Sequence, residues 1–390
     1  MATDRPVGNP ATQPNPNPVE KDTAVVSAEE RVFVASQWRL MWWKFLRHRA
    51  AVVAGVVVIL LYMCALFGDF IIPFDPHLRT GKPFAPPQLP KFVDEDGFSL
   101  RPFVYGMKSQ LDMKTFQRTY VLDKSQKYPI YFFVRGHEYK LLGLFKTDLH
   151  LFGTEDGGAL FLMGTDQLGR DLFSRIIYGA RVSLSIGLVG VFLSLLIGII
   201  MGGISGYFGG TVDLVVQRMI EIIRAFPPIP LWMTLAAALP ADWSPLLVYF
   251  GITIILSFIG WTNLARVVRG RFLSLRSEDF VMAAKLSGAS EARIIGRHLL
   301  PSFLSHIIAS VTLSIPNMIL SETSLSFLGV GLRPPVISWG VLLQDAQNIH
   351  AVALAPWLMF PALFVVLAVL AFNFVGDGLR DAADPYSTAT

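Results

Sequence analysis

EDFVMAAKLSGASEARIIGRHLLP, residues 278–301, is short, polar and basic, and it lies between two strongly apolar segments. Ser277 is placed to cap a first helix whose opening turn carries Glu278 and Asp279, where carboxylates suit the positive end of the helix dipole. That helix offers Ala283 and Ala284 as a shallow face and stops at Gly288, a residue that closes helices in the left-handed conformation. A second helix is expected from Ser290–Glu291, with Ile294, Ile295, Leu299 and Leu300 at helical spacing. Pro301 then opens the next apolar segment, where a first helical turn tolerates proline. The result is a compact knob suited to a groove on another protein. The plainer alternative is a basic cytoplasmic connector between two membrane helices.

Composition sets the class. Of 390 residues, 53% are hydrophobic and 16% charged, with a mean hydropathy of +0.50. That balance excludes an ordinary soluble domain and points to a polytopic membrane protein. The single cysteine, Cys64, sits in an apolar run, so neither an internal disulfide nor a cysteine metal cluster is available. The net charge of +4 comes from basic residues beside apolar spans. Membrane orientation explains it better than nucleic-acid binding, for which no separate basic domain exists.

Residues 1–27, rich in Pro and Asn, read as a disordered cytoplasmic tail. Residues 28–50 read as an interfacial helix, with Trp38, Met41, Trp42 and Phe45 on its apolar side and Arg39, Lys44, Arg47 and Arg49 kept wet. The first long apolar run begins only at Ala51, so no secretory signal is expected. Six spans are expected at about 51–72, 183–204, 214–239, 246–268, 302–324 and 356–376. An even number puts both termini inside, the last cytoplasmic stretch being 381–390. The loop between the fourth and fifth spans carries four more cations than anions, as an inside loop should. The fold class expected is therefore an all-α polytopic membrane protein whose five-helix core, 183–380, contains the 278–301 loop.

Residues 73–163 are too long for a connector and open on a proline-rich stretch. The segments 130–134 and 138–145 flank Arg135-Gly136-His137, a hairpin signal, so a small, partly β external domain is expected after the first helix. Residues 164–182 follow as an interfacial segment, with Leu168, Leu172, Ile176 and Ala180 on one helical face. Its carboxylates and arginines do not make an acid–base site, because no nucleophile or metal set converges on them. Span two repeats small residues every fourth position, Gly190, Ser194, Gly198, Gly202 and Gly206, which lets helix backbones approach closely. Span three begins with Asp213, Arg218, Glu221 and Arg224. Arg218 and Glu221 are spaced to pair, and Pro227, Pro228 and Pro230 are spaced to kink or break the span near its middle. Span five carries His306, Ser310, Ser314, Asn317, Ser321 and Ser324 on one face, a stripe that belongs against protein or water and not lipid. Glu322 stands near its outer end, where a lone carboxylate can meet a peptide amino terminus or simply sit at the interface.

Two stretches carry a resemblance to a known family. Ala283-Ala284, then Gly288, His298 and Leu300-Pro301, resemble the "EAA" coupling loop of ABC importer permeases, with Met282 where Glu is usual and His298 where Ile is usual. GTDQLGRDLFSR, from Gly164, is similar to the GTDxxGRDxxSR segment of the oligopeptide and dipeptide permeases. GYFGG at 206–210, ETSLSFLGVG at 322–331 and GDGLRDAADP at 376–385 extend the match over roughly residues 160–385. The basic helix ending in Arg47-His48-Arg49 fits the C-type subunit.

The resemblance implies a non-catalytic membrane subunit of an ATP-driven importer in a bacterial inner membrane. It implies a second, related permease chain, two ATPase subunits and a periplasmic solute-binding protein. Glu278, Asp279, Met282, Ala283, Ala284, Ser287, Gly288 and Pro301 would form the ATPase-coupling surface. His306, Ser310, Ser314, Asn317, Ser321 and Glu322 are candidates for the translocation path. No cofactor is expected on this chain. ATP and Mg belong to the partner, since no G-x-x-x-x-G-K-[ST] loop occurs and Gly81-Lys82 is followed by Pro. Peptides are the expected solute, while relatives carry nickel complexes, murein peptides and peptide antibiotics. A secondary transporter would need mid-membrane coupling charges and usually an inverted repeat, neither of which is clear here. An intramembrane metalloenzyme would need more than His298 and His306, eight residues apart with no carboxylate pair.

Overall fold

The computed structural model describes residues 37–384, apart from 95–96, 112, 114–117, 156–157, 159 and 241. The tail expected over 1–27 lies outside them. Helix α1 (Gln37–Arg47) lays Met41 and Phe45 on Ala51 and Ala382 and leaves Trp38 and Trp42 exposed. The His48 ring then caps α2 (Arg49–Leu66) by accepting from the Ala51 N–H at 3.1 Å. After the single turn α3 (Gly68–Ile71), the chain builds a four-stranded antiparallel sheet in the order β1 (Lys91–Asp94), β2 (Gly97–Leu111), β3 (Arg118–Leu141), β4 (Phe145–Thr154). The hairpin turn is not at Arg135-Gly136-His137. Those residues lie within β3, where the pairing register with β4 shifts, and the chain reverses at Leu142–Leu144. Gly136 is used for close approach instead, since a side chain there would meet the His150 ring at 2.6 Å.

The helical body follows: α4 (Leu172–Phe208), α5 (Gly210–Ala225), α6 (Pro228–Ala237), α7 (Pro245–Leu275) and α8 (Asp279–Leu286). After them come one-turn α9 (Glu291–Arg293), a π-helical segment (Ile294–Leu299), one-turn α10 (Leu300–Ser302), α11 (Leu304–Phe327), α12 (Trp339–Gln344), α13 (Ile349–Leu354) and α14 (Phe360–Ala383). Among the described residues, five helices are long and apolar enough to span a bilayer: 49–66, 172–208, 245–275, 304–327 and 356–383. The third expected span, 214–239, is not one helix. Phe226 and Pro227 are extended (ψ 139° and 129°), splitting it into α5 and the ten-residue α6, because a residue before proline is pushed out of the helical region.

The 164–182 segment also departs from expectation. Leu168 lies in a turn, and Leu172, Ile176 and Ala180 are buried core of α4, which runs unbroken for 37 residues. Residues 172–182 are thus the first turns of one long helix, with their apolar face buried in protein. The small-residue series on α4 packs against α7 as anticipated: Gly198, Gly202 and Gly206 face Leu264–Ala265, Val268 and Arg269–Phe272. Ser194 donates to the Ser257 carbonyl (3.2 Å), and Ser257 to the Gly190 carbonyl (2.9 Å). Gly187 and Gly190 meet α11 through Ile315, Ile319 and Met318. Trp339 of α12 is fully buried over this core and donates from Nε1 to the Ile176 carbonyl at 3.1 Å. The sheet sits at the start of α4, where the Phe152 and Phe173 rings are 5.9 Å apart. The 278–301 segment sits at the other end, where Lys285 lies over the Tyr207 ring at 5.4 Å.

Candidate functional site

The 278–301 segment is seated, not loose. Val281, Ile294 and Leu299 are buried with Val268 and Phe272 of α7 and with Phe303 and Ile307. Helix α8 begins at Asp279 with Glu278 as its N-cap, so Ser277 does not cap it, and Glu278 itself makes no side-chain cap bond. Asp279 and Lys285 complement the two ends of the helix dipole. At the other end Ala289 N–H bonds the Ala284 carbonyl (3.1 Å) and Gly288 N–H the Lys285 carbonyl (3.0 Å), the paired bonds of a Schellman motif. Gly288 has φ +77° with no atom near an added Cβ, so glycine is required there by backbone conformation and not by space. Ser287 donates to the Ala283 carbonyl at 2.8 Å.

The second half is not the regular helix expected. Ile294–Leu299 is π-helical, which brings Ile294 and Leu299, five apart, onto the same buried side. Pro301 supplies the cause: it has no N–H to give, and its ring crowds the carbonyl four residues back, so the preceding turn widens. Pro301 also does not open the span. It lies exposed in α10, and α11 starts at Leu304 after Phe303 breaks the helix at φ −128°. Outward, the segment presents Phe280, Met282, Ala283 and Leu286, all exposed, the last at 87%. Ala284 is half-buried in the seat.

The seat is braced by charge. Arg269 of α7 donates two bonds of 2.5 Å to Asp213 of α5 and holds that carboxyl below the usual range. Arg276 reaches the Tyr207 carbonyl at 3.4 Å. Arg218 and Glu221 pair at 2.6 Å on the exposed face of α5.

On α11 the polar stripe exists, and its donors are spent locally. Ser310, Ser314, Ser321 and Ser324 each donate to the carbonyl four residues back, on His306, Ser310, Asn317 and Leu320, at 2.7–2.9 Å. Asn317 Nδ2 bonds the Leu313 carbonyl at 3.3 Å, and His306 meets Arg271 at 3.4 Å. What faces outward is oxygen lone pairs on a half-exposed face. Glu322 does not join this stripe. It is fully buried, and Oε1 accepts from Ser326 and Ser338 at 2.8 Å each. Those hydroxyls in turn accept from the Leu332 and Val341 N–H groups, so one carboxylate fastens the 328–341 loop and α12 to α11.

The 164–175 stretch is a clamp. Asp166 accepts from the Leu168 and Arg170 N–H groups (2.8 and 3.0 Å) and from Arg170 Nε (2.6 Å), with Arg175 Nε at 3.5 Å. Thr165 ties in Lys82 and Ala85, and Arg175 bonds the Pro76 carbonyl at 3.0 Å. Asp171 caps α4 by accepting from Ser174 N–H at 2.8 Å, and burial pushes its carboxyl up to about 7.

The profile of the binding-protein-dependent transport system inner membrane component family matches residues 194–387. The profile of the N-terminal TM domain of oligopeptide transport permease C matches 36–87. The oligopeptide transport system permease protein OppC of Bacillus subtilis is 41% identical over 223 residues, 57% of this chain and 70% of that protein. OppC of Haemophilus influenzae is 43% identical over 223 residues, 57% of this chain and 69% of that protein. The glutathione transport system permease protein GsiD of Pectobacterium atrosepticum is 30% identical over 353 residues, 90% of this chain and 92% of that protein. This chain belongs to the binding-protein-dependent transport family.

It is a multi-pass permease of the peptide and dipeptide branch of ABC importers, whose members are non-catalytic subunits. Among the described residues no group of three or more His, Cys, Asp and Glu side chains could hold a metal. Sequence reasoning missed two features of this permease. The Asp213–Arg269 pair joins residues 56 apart, and no local spacing announces such a contact. The role of Glu322 was hidden because its neighbour Ser338 lies beyond the helix.

Proposed function

We propose that this permease couples the 278–301 segment to a separate ATPase on the cytoplasmic side. With a second, related permease it forms a peptide path across the bacterial inner membrane. The carrying observation is the seated knob with an apolar, unpartnered top: Phe280, Met282 and Leu286 are exposed while Val281 beneath them is fully buried. A segment rigidly based on α7 and continuous with α11 can convert a partner's motion into helix motion. The basic excess around it and the basic start of α2 support an inside location for this end and for both termini. Residues 73–163 then face outside, where a solute-binding protein delivers its ligand. The stripe on α11 suits a peptide, since its outward lone pairs accept from peptide N–H groups without reading side chains. ATP and Mg stay with the ATPase, and this chain holds no cofactor of its own.

Co-purification of the ATPase, with transport of a peptide, tests the reading. Ala283→Trp and Leu286→Asp change only the outward face, so both should lower ATPase association and uptake while the permease stays folded. Met282→Glu should be tolerated, as it installs the residue usual in coupling loops. Ala284→Trp is a weaker probe because Ala284 is part of the seat. Normal association and uptake in both Ala283→Trp and Leu286→Asp would overturn the coupling role.

A further inference from the structure

The β3–β4 hairpin ends in an unusual tip. Residues 141–145 read Leu-Leu-Gly-Leu-Phe. Leu142, Leu144 and Phe145 are 45%, 76% and 67% exposed. The turn closes with the Leu144 N–H on the Leu141 carbonyl at 3.0 Å. Both of its central residues are left-handed, Leu142 at φ +53° and Gly143 at φ +73°. Hairpins in water give that first position to Asn, Asp or Gly, because a leucine there is strained and its side chain is left in solvent. Directly behind the tip, Lys140 and Lys146 are cross-strand partners, both exposed. Like charges placed directly opposite destabilise a sheet unless an anion lies between them.

The position of the tip supplies the missing surroundings. Leu142 and Gly143 face the last turn of α2 and the flank of α4, enclosing with Tyr62, Leu66, Leu184 and Leu188 a cleft of about 500 Å³. Helix α2 has 18 residues, or about 27 Å at 1.5 Å per residue, close to the hydrocarbon thickness of a bilayer. Leu66 therefore marks the membrane boundary on the sheet side. Arg181 agrees: its guanidinium bonds the Ala65 and Leu66 carbonyls and Asp69 at this level. Leu188, two turns along α4 from Arg181, is exposed together with Phe192. Phe133 lies beside Phe70 of α3, with ring centroids 6.4 Å apart, at the depth of an aromatic belt.

We propose that the β3–β4 tip is a lipid anchor. Leu142, Leu144 and Phe145 enter the boundary of the outer leaflet, an acyl chain fills the cleft against Leu184 and Leu188, and Lys140 and Lys146 share a phospholipid phosphate. From the lysine pair to the turn is two to three residues, which fits the ~5–10 Å burial of interfacial anchors. The anchor ties the external domain to the membrane surface and so fixes its height above the path. It depends on the chain spanning a bilayer and not on which solute it carries.

The test uses the full chain in lipid nanodiscs, with Cys64→Ser as background and a nitroxide at Leu144→Cys. Val121→Cys, far up the same strand and 48% exposed, is the water reference. The Leu144 label should collide freely with oxygen and be shielded from a water-soluble nickel chelate, with the Val121 label showing the reverse. Equal access of the chelate to both labels would place the tip in water. Shielding of Leu144 from both reagents would mean that protein covers it. Either result overturns the proposal. The double variant Lys140→Glu/Lys146→Glu should lift the label into chelate reach in phosphatidylglycerol-containing discs. An unchanged depth would remove the phosphate contact.

Discussion

Gly202→Ala is the sharpest test of how the helical body is held. Gly202 lies where α4 meets α7, and a Cβ there would stand 2.4 Å from the Ala265 carbonyl oxygen and 2.9 Å from the Val268 Cβ. The first neighbour is backbone, so no rotamer change relieves it. Restoring ordinary contact parts the helices by about 1 Å, which forfeits up to half of each dispersion well along the seam. Overpacking of this kind costs about 1–3 kcal/mol, and an unyielding backbone neighbour places it at the upper end. Alanine returns about 1 kcal/mol in helix propensity, leaving a net loss of about 2 kcal/mol. Gly203→Ala is the internal control. It gives the same propensity gain, and its Cβ would meet only the Phe272 ring at 3.6 Å, an ordinary contact. Titration of the purified permease with SDS, followed by helical circular dichroism, should put the two adjacent variants on opposite sides of wild type, about 3 kcal/mol apart. A Gly202→Ala permease as stable as Gly203→Ala would refute the claim that this seam is backbone against backbone.

Two further outcomes follow from buried carboxylates. Asp171 has a folded pKa raised to about 7 by burial. The native state therefore binds its proton more tightly than the unfolded chain, and stability falls as pH rises from about 4 to about 7, by at most about 4 kcal/mol, then levels off. Asp171→Asn, which still caps α4, should flatten that part of a thermal-stability profile against pH, and an unchanged slope would refute the assignment. Glu322→Ala strands the Ser326 and Ser338 hydroxyl donors, each worth about 1–3 kcal/mol when left unpaired in the interior. Glu322→Gln keeps an acceptor, so proteolysis in the 328–338 loop should rise only in the alanine variant.

Legibility in the sequence tracked the range of the interaction. The glycine series of α4 was readable because backbone approach at period four needs nothing beyond the helix itself. Gly288 was readable because a left-handed helix end is a local property. The stripe on α11 was readable for the same reason, and its hydroxyls do bond within their own helix. Failures came where a distant partner decides. The hairpin was sought at Arg135-Gly136-His137 because a glycine between apolar runs signals a turn, but that glycine admits His150 from the next strand. The true turn uses Leu142, a residue no water-based turn rule selects. The break in span three, by contrast, is local and was readable from Pro227, Pro228 and Pro230: α5 ends there and the chain enters a second, shorter helix. Glu322 read as a lone carboxylate because its partner Ser338, beyond the helix, could not be seen from spacing along it.

The packing also ranks which helix is free to move. Helices α4 and α7 meet through backbone atoms, at Gly198 against the Ala265 nitrogen, Gly202 against its oxygen and Gly206 against the Arg269 oxygen. Sliding such a seam forces main chains through each other's contact distance. Helix α11 meets α4 through side chains, Ile315, Met318 and Ile319 over Gly187 and Gly190, which can re-pack as rotamers change. The 278–301 segment joins α7 at one end and α11 at the other, and the α11 junction is broken at Phe303. Under the proposed coupling, a force on the 278–301 segment would meet a rigid α4–α7 pair on one side and, on the other, a helix jointed at Phe303 and packed on α4 through side chains, so α11 with its polar stripe is the element expected to tilt. Spin-label pairs across α4–α7 should hold one distance with and without trapped nucleotide, while pairs across α4–α11 should change. A constant α4–α11 distance would leave the stripe static and the Phe303 joint without a function.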